Sequence, residues 1–127
     1  MHHSRLAGFI IDCNADDLDA AAEFWSAALG YPLQPKSEQA GGNYRQLLTG
    51  EDSLHVEVQQ VDHESRVHLD IESDDIEAEV ARLEKLGAKR VAKVHTWVVM
   101  QAPTGQKFCV VRPQRPGIEQ ESNQRGQ

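Results

Sequence analysis

"HLDIESDDIEAEVARLEKLGA", residues 68–88, changes its period halfway along. Val67, Leu69 and Ile71 alternate with His68, Asp70 and Glu72, the period of a strand with one face in a core. Ile76, Val80, Leu83 and Leu86 then recur at helical spacing. Asp74 and Glu77 supply an N-cap acceptor and an acid three positions on, where a helix start has unpaired N–H groups and a positive dipole end. Gly87 stops the run, because glycine adopts the left-handed conformation of a helix end without a Cβ clash. The stretch predicts a strand followed by a helix over about 75–86.

The same phrase stands 58 residues earlier. "IIDCNADDLDAAAEFWSAALG", residues 10–30, lays Asp17 on Asp75, with Phe9, Ile11 and Cys13 under Val67, Leu69 and Ile71. Leu18, Ala22, Trp25 and Leu29 keep the helical period up to Gly30, which predicts a helix over about 17–29 with Trp25 on its core side. After each helix the pattern returns to strands: Tyr31–Pro35, Tyr44–Leu48 and "SLHVEVQQV" in the first copy, "KRVAKV", "TWVVMQ" and "KFCVVR" in the second. Turns are expected at Gly41-Gly42-Asn43, Thr49-Gly50 and Ala102–Gly105. Each copy therefore reads as a βαβββ module, module one over 6–61 and module two over 66–113, joined by "DHES". The fold class is α+β, one domain over 1–113. Residues 114–127 are rich in Gln, Arg, Glu and Gly, too polar to order themselves, and the composition predicts a disordered tail.

With 13 Lys and Arg against 20 Asp and Glu, the net charge of −7 argues against a nucleic-acid backbone or an anionic membrane as partner. No apolar run approaches the length that spans a bilayer, and the start lacks the apolar region of a signal peptide, so a cytoplasmic location is expected. Cys13 and Cys109 lack CxxC spacing and fall in strand-like runs, which predicts buried free thiols. His2 and His3, at an end expected to be loose, receive no role.

The runs "DDLDAAAEFWSAALGYPL", "HLDIESDDIEAEVARLEKLGAKR" and "APTGQKFCVV" resemble the vicinal oxygen chelate superfamily of glyoxalase, bleomycin-resistance and extradiol-dioxygenase relatives, in its glyoxalase-like branch. The resemblance covers residues 6 to 113. It implies that the two modules form a curved mixed sheet, a cup with the helices on its convex face, with His68, Asp70 and Glu72 looking toward the cup. It also implies a homodimer.

Enzymes of this superfamily hold a divalent metal with His and Glu from strands one and four of each module, which lets the ion polarise a carbonyl or stabilise an enediolate. Carried over, these positions give His68 in module two, Ile10 in module one, which has no lone pair to donate, and Lys107, a cation, at the end of module two. The fourth position is open in register among Ser53, His55 and Glu57. One clear match beside a like charge argues against a tight site. The expectation is therefore a small-molecule-binding domain without a tight catalytic metal, whose ligand is anionic or aromatic. Trp97 would supply a flat wall, and Tyr44, Arg45, His68 and Lys107 polar or cationic handles. The alternative is a divalent-metal-dependent lyase, isomerase or dioxygenase in which His68, His55 and Glu57 hold the ion. His68 with Asp70 or Glu72 offers a base and an orienting acid with no nucleophile in view, and whether the chain is an enzyme stays open at this point.

Overall fold

The computed structural model describes residues 1–35, 43–50 and 52–125, so the expected Gly41-Gly42-Asn43 turn lies partly outside the described residues. Among the described residues, eight strands and two helices follow in the order β1 (His2–Cys13), α1 (Leu18–Leu29), β2 (Tyr44–Leu47), β3 (His55–Gln60), β4 (Arg66–Ser73), α2 (Ile76–Lys85), β5 (Lys89–Val94), β6 (Trp97–Gln101), β7 (Lys107–Val111) and β8 (Asn123–Arg125). Strand pairs are both parallel and antiparallel, and the fold class is α+β. No described helix is long and apolar enough to cross a membrane.

The chain divides into two compact units, Phe9–Val67 and Met1–Gly8 with His68–Gln127. In the first, β2 and β3 pair antiparallel with Tyr44 opposite Gln59 and Leu47 opposite Val56, and β3 neighbours β1. The expected strand at Tyr31–Pro35 reduces to a single bridge between Leu33 and Leu47. α1 packs on β2 and β3, and Ala22, Leu47 and Val58 are fully buried in this unit.

In the second unit the strand order is β4-β7-β6-β5, with β4 parallel to β7 and the other pairs antiparallel. Val80 and Leu83 of α2 pack with Val98, Met100 and Val110, and Ile71, Ile76 and Phe108 close the cluster. The alternation read from the sequence holds at Ile71. It does not hold along all of β4: Val67 and Leu69 are 59% and 44% exposed, because the cluster around α2 takes in Ile71 and the β6–β7 hairpin but neither of these two.

Both helix starts lie one residue later than the spacing suggested. Asp17 and Asp75 are the N-caps, accepting from the amides of Ala20 and Ala78 at 3.2 and 3.0 Å. Asp74 is engaged elsewhere, taking the backbone N–H of His3 at 2.7 Å and meeting its Nδ1 at 2.9 Å. Gly30 ends α1 at φ 81°, and Gly87 follows α2 at φ 106°, both in the left-handed region.

Both regions expected to be loose make specific contacts. His2 is buried, its Nε2 2.8 Å from Oε1 of Glu79, a fully buried carboxylate on α2. Beyond Pro113, Arg115 donates to Glu72, and Asn123–Arg125 pair with His2–Ser4 as β8. The contacts of Gln114–Arg125 are charge pairs and backbone pairing rather than apolar burial, which composition alone does not register. Both cysteines are free thiols, as expected, but half-buried rather than buried.

Candidate functional site

Strand register in the second unit gathers the polar side chains of module two on the face turned away from α2. Asp70 stands beside Cys109 and Glu72 beside Val111 across the parallel β4–β7 pair. Across the antiparallel β6–β7 pair, Val99 stands opposite Cys109 and Gln101 opposite Lys107. Continued two places toward the start of both strands, the β4–β7 register sets His68 beside Lys107. Trp97, two residues before Val99, shares this face and lies toward its Val111 end. Three rows result: His68, Lys107 and Gln101; Asp70, Cys109 and Val99; Glu72, Val111 and Trp97.

The middle of this face is chemically distinctive. His68 Nε2 lies 3.5 Å from Asp70 Oδ1, with side-chain exposures of 14% and 11%. A nitrogen of His68, a carboxylate oxygen of Asp70 and the sulfur of Cys109 all lie within 4.8 Å of one another. Among the described residues this is the one three-ligand group, and it includes neither His55 nor Glu57. Those two belong to the other unit, where Glu57 stands opposite Gln46 and His55 is buried. This group shares His68 with the expected metal set and differs from it in Asp70 and Cys109.

The alternation Lys107, Cys109, Val111 was visible in the sequence, but nothing in it fixed which of these residues stands beside Asp70. A register shift of one place would have turned the thiol to the other face.

The donors fit an ion of borderline softness. Imidazole, carboxylate and thiolate suit Zn²⁺ better than Mn²⁺ or Mg²⁺, which favour oxygen. A tetrahedral shell with bonds of about 2.0–2.3 Å needs neighbouring donors roughly 3.3–3.8 Å apart. The observed spacing of at most 4.8 Å brings the three donors near that range. Lys107 beside His68 opposes a cation, but it is exposed, so solvent screens its charge.

The remaining expected handles are placed as follows. Arg45 donates from Nη1 to Asp19 Oδ1 on α1 at 2.7 Å, which ties helix to sheet in the first unit. The hydroxyl of Tyr44 accepts from Gln59 Nε2 at 2.9 Å. An open groove of the same unit, lined by Asn14, Asp16, Asn43, Gln59, Asp62 and His63, contains none of the expected residues. Its polar groups are partly spent on each other: Gln60 donates its backbone N–H to Asn43 at 2.8 Å and its side-chain amide to Ala15 at 2.8 Å.

The family model of a glyoxalase-like domain matches residues 8–111. The chain belongs to this glyoxalase-like family, within the vicinal oxygen chelate superfamily. Among solved structures, the Mn(II)-bound glyoxalase from Novosphingobium aromaticivorans is similar at 20% identity and a TM-score of 0.62, over 91% of this chain. The chain spans 41% of that protein's length. A methylmalonyl-CoA epimerase in complex with methylmalonyl-CoA and NH4+ is similar at 16% identity and a TM-score of 0.51, over 90% of this chain and 99% of the other. At such identities the likeness concerns the fold. No curated protein matches the sequence.

Proposed function

We propose that this glyoxalase-like domain binds a small organic molecule, anionic or aromatic, on the face that carries His68, Lys107 and Trp97. The observation that carries the reading is the register of β4, β7 and β6, which turns all three side chains to one side. Lys107 and His68 offer a cation and a hydrogen-bonding ring for a carboxylate or phenolate at the open end. Trp97, about 13 Å further along the strands, offers a flat apolar wall. An elongated acid with a ring at one end spans that distance. In this reading the free thiols suit a reducing cytoplasm, and the chain works as a homodimer.

A second reading is favoured by the convergence of His68, Asp70 and Cys109: these residues hold a divalent cation, and the domain is a metal-dependent lyase, isomerase or dioxygenase. A bound ion would supply Lewis acidity toward a carbonyl or enediolate oxygen. Lys107 would receive the acid group of the substrate.

Thermal melts separate the two. Purified protein is assayed for metal, stripped with chelator, and melted with benzoate, 4-hydroxybenzoate and 4-phenylbutyrate, and separately with Zn²⁺, Ni²⁺, Mn²⁺ and Fe²⁺. His68→Ala, Cys109→Ala and Lys107→Ala are run beside the wild type. A ligand at a hundred times its Kd stabilises by about 2.7 kcal/mol, which raises the melt by roughly 10 °C for a domain of this size. The binding reading expects such a rise with an aromatic acid, diminished in Lys107→Ala. Near-stoichiometric metal, or a metal-induced rise lost in both His68→Ala and Cys109→Ala, would overturn it in favour of the second.

A further inference from the structure

The segment Gln114–Arg125 holds Pro116 and Ile118 as its only bulky apolar residues, yet it makes a set of specific contacts, and the way it is held has a consequence for the ligand face. Its anchor is Glu72, whose side chain is fully buried. That carboxylate accepts from Arg5 Nε at 2.5 Å, from Arg115 Nε at 3.0 Å and from the backbone N–H of Gln114 at 2.6 Å. Arg5 also donates from Nη2 to the carbonyls of Arg115 and Pro116 at 3.2 and 2.7 Å, and Arg115 donates to the carbonyl of Leu6 at 2.7 Å. Further along, Arg125 donates to Ser4 Oγ at 3.0 Å, and β8 pairs with β1.

Glu72 stands two residues beyond Asp70 on β4, so both side chains emerge on the same face of the sheet. The segment bonded to Glu72 therefore crosses one end of the face that carries His68, Lys107 and Trp97. On β4 and β7, burial along that face follows this crossing. Lys107 is exposed and His68 half-buried at the far end; Asp70 is buried and Cys109 half-buried in the middle; Glu72 and Val111 are buried at the near end.

We propose that Gln114–Arg125 is a strap that Glu72 latches across one end of the ligand face, and that it sets the length of molecule the face admits. The inference rests on the proposed binding face. Its physical basis is the way the segment is held. With little apolar surface of its own, the strap depends on a charge cluster, and a buried cluster holds only while every member keeps its partner. Loss of the Glu72 charge leaves Arg5 and Arg115 facing a neutral amide, and the strap detaches while the apolar cluster around Met100 and Val80 stays intact.

Hydrogen–deuterium exchange and ligand titration test this on the full chain and its Glu72→Gln and Arg115→Gln variants. Arg115→Gln keeps the Arg5–Glu72 pair, so it carries the test if Glu72→Gln does not fold. Amides of 114–125 should exchange at least tenfold faster in the variants, with those of β5–β7 as slow as in the wild type. The variants should bind 4-phenylbutyrate several-fold more tightly than the wild type does, with benzoate unchanged. Unaltered exchange in 114–125 overturns the latch. Faster exchange with unaltered 4-phenylbutyrate affinity overturns the wall and leaves the strap as a clamp on β1. Binding of neither acid by any of the three chains defeats the ligand reading itself and with it the wall, and the exchange result alone then decides the latch.

Discussion

Glu79 shows how a residue that reads as surface becomes part of the interior. Its position in the acid-rich first turn of α2 suggests a solvated helix face, yet its side chain is fully buried. Arg82 grips it with Nε and Nη2 at 2.9 and 2.7 Å, and His2 approaches at 2.8 Å. The spacing of Glu79 and Arg82, three apart on a helix, was legible as a pair. The third partner, 77 positions away in sequence, was not. Burial pushes the Glu79 carboxyl up, but the hydrogen bonds from Arg82, His2 and Ser4 outweigh it and hold the group below its ordinary 4.5. A carboxyl depressed by folding contributes stability above its unfolded value and loses that contribution as pH falls through the folded one. Wild-type melting temperatures should therefore decline as pH drops below about 4.5. In Glu79→Gln the pH 7 melt should be lower and the acid decline shallower. Melts from pH 7 to pH 3 check this, and parallel curves would remove Glu79 from the acid response.

Helices were more legible than sheet register. A period near 3.6 bounded by an acidic cap and a glycine identifies α1 and α2 within a residue, since those signals are local. A strand's period of two fixes which residues share a face, but not which strand lies beside it or which face a helix covers. Val67 and Leu69 have the alternation of core residues and are exposed; Cys109 looked like core and stands at the candidate site. The cluster between α2 and the β5–β7 meander supplies the contrast for a test. Met100 is fully buried there, whereas Leu86, which continues the apolar spacing of α2 just past its end, is 65% exposed. Met100→Ala should cost about 2–5 kcal/mol, while Leu86→Ala should stay within about 0.5 kcal/mol of the wild type. Urea unfolding measures both, and a comparable loss at Leu86 would mean that something covers this side chain in solution.

Over the whole chain, the tandem modules were legible because the repeat carries its own alignment, Asp75 on Asp17. The assignment of Met1–Gly8 to the same compact unit as module two was not, because it rests on pairings between distant polar residues: His2 with Glu79, His3 with Asp74 and Arg5 with Glu72. The proposed homodimer belongs to this scale. α1 leaves Phe24 61% and Leu29 45% exposed, and Tyr31 just beyond it 40% exposed. Phe24 also meets Trp25 edge to face at 5.1 Å. Exposed aromatic surface of this kind is what a buried interface centre uses, and a charge placed there has no partner once water is excluded. Phe24→Glu should therefore convert a dimer to a monomer without lowering the melt of the isolated chain by more than about 0.5 kcal/mol equivalent. Light scattering coupled to size-exclusion chromatography at several concentrations reads the mass directly. A wild type that runs as a monomer throughout removes the dimer, and a dimer that survives Phe24→Glu places the interface away from α1.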